Sequence, residues 1–444
     1  MSVCVEYRMR RDKMENEFMR LNLCTFQVKD IVFGKGSEFS NGVLKIDTNE
    51  IKENLRQDIR FKQISIDIAK PGEMTRIIHI LDVIEPRAKI GGDLRVFPGF
   101  LGSPTTVGSG TTHRLGNVAV MTTGDIQVAK SYGGPSSVAG PRERLVDMGG
   151  EAAIFSAFSQ TLNVVLNFEP SSDLSMEEFD DAIRKAGLWV SEFLAKLTLN
   201  SPPDHVDHLH LGEVNRHLPN VAYIYQILAG DFLRDTYVYG ESNRQLIPTI
   251  IHPNEIVDGA IVNASSSFAS SSTYIHQNNR VIKHLYEAHG KELNFVGVVL
   301  TSKHHLTDLD KERKASYAAK LAKLLGANGV VSTQEGGGNS IVDQMLTVKS
   351  CEAMGMKTVA ITYEMGGIEG TDFPLIYHVK EADALVTTGN REQIVHLPEM
   401  QKAIGGTHIL YRNISATESY DTYVSDIVFS IDLTGFWRIG TCEY

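Results

Sequence analysis

Residues 294–333 read NFVGVVLTSKHHLTDLDKERKASYAAKLAKLLGANGVVST, and this stretch decides the architecture. It opens and closes on short apolar runs, NFVGVVLTS (294–302) and GVVST (329–333), with the amphipathic segment DKERKASYAAKLAKLLG (310–326) between them. A strand buried on both faces needs a continuous apolar run, and a helix between two such runs lets them pair in parallel. The alternation extends outward. NVAYIYQILA (220–229) and IPTIIH (247–252) precede it, and SIVDQMLTVKSCEAMG (340–355), KTVAIT (357–362) and ADALVTT (382–388) follow. The pattern predicts an α/β fold, with a Rossmann-like, mostly parallel sheet and flanking helices over 220–444.

Upstream the grammar changes. Residues 1–18 are charged and read as an N-terminal extension, and Met19 begins the strand-like run MRLNLCTFQVKDIVFG. FKQISIDIA (61–69), RIIHILDVIEP (76–86) and NVAVMTT (117–123) are further strand candidates, so 19–200 is expected to be a strand-rich N-terminal domain. VFPGFLGSPTTVGSGTTHRLG (96–116) reads as a long loop, and such loops in compact domains are often functional. A helix over 176–198, with Ser175 as N-cap and acids in its first turn, closes this domain. SPPDHVDHLH opens a linker over 201–219, and its His205, His208 and His210 fit no familiar zinc spacing.

Composition narrows the function. The 444 residues are 42% hydrophobic and 22% charged, as in a soluble globular protein, and the formal charge of -11 argues against nucleic-acid or anionic-membrane binding. The cysteines at 4, 24, 351 and 442 lie far apart, which supports neither a disulfide framework nor a zinc site. With no long apolar stretch and no signal-like start, the expected location is the cytoplasm.

Ligands of open α/β sheets bind at the carboxyl ends of the strands. Three strands here end in glycine-rich or polar turns: Gln334-Glu335-Gly336-Gly337-Gly338-Asn339, Tyr363-Glu364-Met365-Gly366-Gly367 and Gly389-Asn390. Their glycines let backbone amides approach a ligand, and their two carboxylates suit a cationic amine. The same turns also read as ordinary strand-to-helix connections. None fits the dinucleotide or Walker fingerprint. A second candidate is the serine run in IVDGAIVNASSSFASSSTYIHQNN (256–279), either a mobile loop or a self-processing site. There a serine hydroxyl attacks the preceding carbonyl, and ester formation and elimination leave a pyruvoyl ketone that captures amines. His276 near this run and His113 in the 96–116 loop are the acid–base candidates, whereas His304 and His305 read as a solvated turn.

The segments DIAKPGEMTRII (67–78), DVIEPRAKI (82–90), FPGFLG with TVGSGTTH (97–113), DTYVYG (235–240), PTIIHPNEIVDGAIV (248–262), TYIHQNN (273–279), HGKELNFVGV (289–298), QEGGGN (334–339) and TTGN (387–390) occur together and in order. With them the chain resembles, from about Met19 to about Gly405, the alpha and beta subunit precursor of component B in glycine, sarcosine and betaine reductases. The D-proline reductase precursor is a more distant relation. The resemblance implies reductive cleavage of a C–N bond in a small amine. It also implies internal cleavage of the precursor to a pyruvoyl group, and a gamma partner subunit that is a selenoprotein or its cysteine homologue. An oligomeric complex is expected.

The chain departs from that family at the cleavage point. The family cuts an Asn-Cys bond just after the DGAIV motif, and this chain has Asn263-Ala264-Ser265-Ser266-Ser267, with no cysteine between Cys24 and Cys351. Alanine has no β-leaving group. Either Ser265 or Ser266 supplies a serine-derived pyruvoyl group, or the chain stays whole, as a non-catalytic scaffold or regulatory subunit or as a repurposed enzyme whose sheet-edge carboxylates act without a carbonyl cofactor. Under the first reading His276 shuttles protons and Glu335 and Glu364 position the amine. Asn339, Asn390 and His113 complete the expected substrate-binding set.

Overall fold

The computed structural model describes residues 19–91, 95–104, 107–124, 143–229, 236–263, 270–303, 305–409, 412–431, 434–435 and 440–441. Two four-stranded sheets organise the N-terminal half. Strands β1 (Leu21–Gln27), β2 (Phe61–Ala69), β3 (Ile80–Ile84), β4 (Arg87–Ile90), β5 (Gly110–Gly116), β6 (Val118–Gly124) and β7 (Leu162–Pro170) lead to helix α1 (Met176–Lys196) and strand β8 (His205–Leu209). The sheet orders are β8-β1-β5-β4 and β2-β7-β6-β3. Alternate residues of both sheets, among them Phe26, Leu115, Val120, Val164 and Phe168, meet Ile183, Val190 and Leu194 of α1 in one core. Each such side chain contributes about 1.5–3 kcal/mol of burial. The start of α1 is fixed as its sequence requires: Ser175 accepts from the Glu178 amide at 3.2 Å, and Glu178 reaches back to the Ser175 amide at 2.9 Å.

Three expectations change here. The second half of the 96–116 segment is not loop but β5, paired in parallel with β1. The stretch expected to open the linker contains β8, antiparallel to β1, with His208 Nδ1 2.7 Å from Asn22 Oδ1. RIIHILDVIEP is two strands, Thr75–Ile77 and β3, because the chain turns at His79 with φ 56°.

The second half contains the large sheet. Its elements are β9 (Asn220–Leu228), β10 (Thr249–Ile251), β11 (Ile261–Asn263), α2 (Thr273–Gln277), α3 (Arg280–Ala288), β12 (Asn294–Lys303), α4 (Asp308–Leu324), β13 (Gly329–Gln334), α5 (Asn339–Ala353), β14 (Lys357–Glu364), β15 (Leu385–Asn390) and β16 (Gly440–Thr441). All but β11 and the helices join one seven-stranded sheet, order β10-β12-β9-β13-β14-β15-β16. The five inner strands pair in parallel, and β10 and β16 pair antiparallel at the edges. Along β9 the side chains alternate between two cores. Tyr223, Tyr225 and Ile227 meet α3 and the β1 residues Leu21 and Leu23, while Ala222 and Ile224 meet Ala318, Ala319 and Ala322 of α4. The alanines, at helical spacing, let α4 lie close on the sheet. Gly297, at φ 136°, carries the register shift between β9 and β12 at Val221/Ala222.

The mostly parallel sheet with flanking helices stands as expected. The first strand of the unit, β9, lies between the second, β12, and the third, β13. That is the other doubly wound arrangement, not the dinucleotide-binding order, and its switch point falls between β9 and β13. Beyond β15 the chain returns to the N-terminal half. Lys402–Ile404 pairs in parallel with Thr75–Ile77, and Arg76, fully buried, holds the junction. Its guanidinium donates to both Asp147 oxygens at 2.6 and 2.9 Å and to the carbonyls of Pro398 and Glu418 at 2.8 Å each. Breaking such a buried pair costs about 3–5 kcal/mol.

Candidate functional site

Parallel strands deliver all their carboxyl ends to one edge, so Lys303, Leu228, Gln334, Glu364 and Asn390 lie along one rim. Lys303 Nζ donates to Gln334 Oε1 at 2.6 Å, and Gln334 Nε2 donates to Thr362 Oγ1 at 2.9 Å. Burial holds the Lys303 amine well below its ordinary range.

Glu335 follows β13 at the switch point and is fully buried. Its backbone amide donates to Gln226 O at 2.9 Å. Its carboxylate accepts from the amides of Leu228 at 2.7 Å and Ser271 at 2.8 Å. Those bonds favour the charged form, but desolvation outweighs them and pushes the carboxyl up to about 7. His276 of α2, also fully buried, has Nδ1 2.7 Å from Tyr225 Oη and Nε2 3.6 Å from Glu335 Oε1. Burial pushes its imidazole down to about 3, so the ring is neutral at physiological pH. The site thus pairs a neutral imidazole with a carboxyl poised to exchange a proton near neutrality.

Asn263, the last residue of β11, borders the same cluster. Its amide donates to Thr273 Oγ1 at 3.0 Å, and the Thr273 hydroxyl donates to Asp82 Oδ2 at 2.5 Å. The Thr273 amide donates to Asp82 Oδ1 at 2.9 Å. Asp82 comes from the N-terminal half, and burial pushes its carboxyl up to about 7. Among the described residues, Asn263 Oδ1 and Nδ2, Ser271 Oγ, Ser272 Oγ and His276 Nε2 are buried without a hydrogen-bond partner. Unsatisfied groups of this kind are costly, and their concentration at one place marks a site built for more than packing. Ser265 and Ser266 lie outside the described residues, in the segment that Asn263 and Ser270 flank. A donor set of amide, hydroxyl and imidazole groups fits a carbonyl-bearing group formed in that segment. His304 also lies outside the described residues.

The structure therefore brings His276 and Glu335 together. It gives the other expected residues different surroundings. Asn390 braces the turn after β14, donating to Gly367 O at 2.7 Å and accepting from the Gly366 amide at 3.3 Å. Glu364 ends β14, and its carbonyl accepts from the Arg391 amide at 3.1 Å. Asn339 begins α5 and donates to His305 O at 2.9 Å. His113 is a core residue of β5, 4.5 Å from the Phe26 ring and 2.9 Å from Thr198 Oγ1, and burial lowers its pKa. It is not part of the Glu335–His276 cluster. Sequence reasoning missed Asp82, Thr273 and Tyr225, although the first two open the quoted motifs DVIEPRAKI and TYIHQNN. A cleft of about 320 Å³ lies against the other side of α2, lined in part by Arg114, Asp207, Tyr274, Gln277 and Arg280. Among the described residues, no helix is long and apolar enough to cross a membrane.

Comparison with known proteins gives this geometry a family. Residues 19–436 match the family described as glycine/sarcosine/betaine reductase component B subunits. The chain is 39% identical over 395 residues to the glycine reductase complex component B subunits alpha and beta of Acetoanaerobium sticklandii, covering 87% of this chain and 89% of that one. It is 38% identical over 395 residues to the sarcosine reductase complex component B subunit alpha of Peptoclostridium acidaminophilum, covering 87% and 89%. With the betaine reductase complex component B subunit alpha of the same organism it shares 34% over 409 residues, covering 89% and 90%. No solved structure matches the chain. The chain belongs to the glycine/sarcosine/betaine reductase component B family.

Proposed function

We propose that this chain is the substrate-binding subunit of a complex that reductively cleaves the C–N bond of a small amine. The observation that carries the reading is the convergence of Glu335, His276 and the unpartnered Asn263, Ser271 and Ser272 groups beside the serine-bearing segment. Ser265 or Ser266 is the source of a pyruvoyl group in this reading, since Ala264 stands where the family's cysteine is expected. A pyruvoyl group, when present, supplies an electrophilic ketone to an amine. The Asn263 carboxamide and the Ser271 and Ser272 hydroxyls orient what occupies that position, and the enclosing strands keep water away. Glu335, with its carboxyl near neutrality, takes a proton from the incoming ammonium and returns it, and Tyr225 holds His276 in place beside it. A gamma partner subunit with selenocysteine or cysteine attacks the substrate carbon, and a second small selenoprotein and an acetyl-phosphate-forming component complete the pathway.

The loss of the cysteine favours a second reading, in which the chain stays whole and serves the complex as a scaffold or regulatory subunit. Reconstitution separates the two. The chain, produced with its gamma partner, is given the second small selenoprotein, a dithiol reductant and either glycine or sarcosine. Release of ammonia from glycine or methylamine from sarcosine above the level of the partners alone supports the catalytic reading. Release of none overturns it.

A further inference from the structure

The rim holds one feature the proposed chemistry has not used. Helix α5 spans 15 residues, and its N-cap, Gly338, offers no side-chain cap. Among the described residues, the amides of Gly336, Gly337, Asn339 and Ser340 donate to no protein acceptor. The Gly338 amide is satisfied by Tyr363 Oη at 3.0 Å, and the Arg391 guanidinium lies over that tyrosine ring at 5.7 Å. Gly336 and Gly338 adopt positive φ values of 90° and 60°, which glycine reaches without steric cost, so the chain can turn sharply into α5. Ser340, fully buried, directs a hydroxyl with no partner against Gly336. A side chain at Gly338 would meet only Ile376 Cδ1, at 4.0 Å, so the turn is open at Gly338, whereas Ser340 and Leu228 fill the space against Gly336.

We propose that the Gly336, Gly337, Asn339 and Ser340 amides, with the Ser340 hydroxyl, form a carboxylate-binding site at the N-terminus of α5. Unsatisfied amides and the helix dipole together favour an anion there. The turn lies at the switch point between β9 and β13, where this kind of sheet receives ligands. Glu335 immediately precedes it, so an acid that handles an ammonium group adjoins a receptor for a carboxylate. That juxtaposition suits a short zwitterion whose amine and carboxylate are one carbon apart. The identity of this substrate rests on the proposed function, whereas the anion site does not.

Asn339 is the first helical residue, where proline is tolerated, and the substitution removes the amide donor together with the side-chain bond to His305. Binding of acetate, glycine, sarcosine, betaine and methylamine is measured by ligand-observed NMR for the parent chain, Asn339→Pro, Asn339→Ala and Asn339→Asp. Asn339→Ala loses the bond to His305 but keeps the amide, and it is the reference against which the binding of carboxylates by the other variants is read. Asn339→Pro is expected to bind them about tenfold more weakly or worse, the loss of one charge-assisted hydrogen bond. Asn339→Asp keeps the amide and repels the anion, so it covers the case in which the proline variant fails to fold. Equal carboxylate binding by all variants overturns the site, as does a parent chain that binds no carboxylate. Loss of acetate binding in Asn339→Pro, with a parent that ignores all three amino acids, upholds the anion site and sinks the proposed function.

Discussion

Replacing Glu335 by glutamine keeps the shape of a fully buried side chain and removes its charge. In the folded chain the carboxyl titrates near 7, whereas the ordinary value is 4.5. The folded state therefore holds a proton that the unfolded chain releases, and stability falls as pH rises through the interval from 4.5 to about 7. That displacement corresponds to about 3 kcal/mol, lost in full above the upper value. The carboxamide that Glu335→Gln introduces faces the Leu228 and Ser271 N–H donors poorly at one of its two ends, but that cost does not change with pH and cancels between conditions. Asp82 and Asp180, also raised to about 7, titrate equally in both proteins. Unfolding 444 residues releases about 0.9 kcal/mol per kelvin, so the effect is about 3 °C. Thermal denaturation of both proteins at pH 4.5 and pH 8.5 reads it. The Tm of the variant should gain about 3 °C on the parent between the two conditions. Parallel Tm profiles would refute a buried, proton-holding Glu335.

Two further expectations follow from the same cluster. His276, pushed down to about 3 by burial, should keep the imidazole nitrogen resonances of a neutral ring between pH 5 and pH 8, and a ring that becomes protonated inside that window contradicts the enclosure described above. Thr273→Val leaves the Asn263 amide without its acceptor and Asp82 without its hydroxyl donor. It should cost about 2 kcal/mol or more in urea unfolding, with a smaller loss for Thr273→Ser; an unchanged midpoint means the Asp82–Thr273–Asn263 chain does not support the site.

Most of the large sheet was legible because its inner strands carry short apolar runs with helices between them. NFVGVVLTS is buried nearly throughout, GVVST and KTVAIT bury most of their length, and the helices between them repeat at their own period. The start of α1 was legible because its cap is local. What escaped depends on partners far along the chain. β8 is a charged edge strand that exists because β1 pairs with it, and nothing in HVDHL says so. Lys402–Ile404 owes its place to Thr75–Ile77 and to Arg76. His113 stands in an exposed-looking glycine-rich segment, but the pairing of β5 turns it into the core. The site was half legible for the same reason. Glu335 is marked by its strand end and His276 by the neighbouring serines, whereas Asp82 joins them only when the two halves of the chain meet.

Covalent self-processing is what separates the catalytic reading from the scaffold, and whole-protein mass spectrometry reads it in one spectrum. The chain is purified after production with its gamma partner. Two fragments divided within 263–267 are expected, the later one lighter by the mass of ammonia and gaining one hydrazone when hydrazine is added. With Ser265 and Ser266 both changed to alanine, the parent mass should remain whole. A wild-type chain that stays at its full 49.1 kDa and takes up no hydrazine contradicts the account.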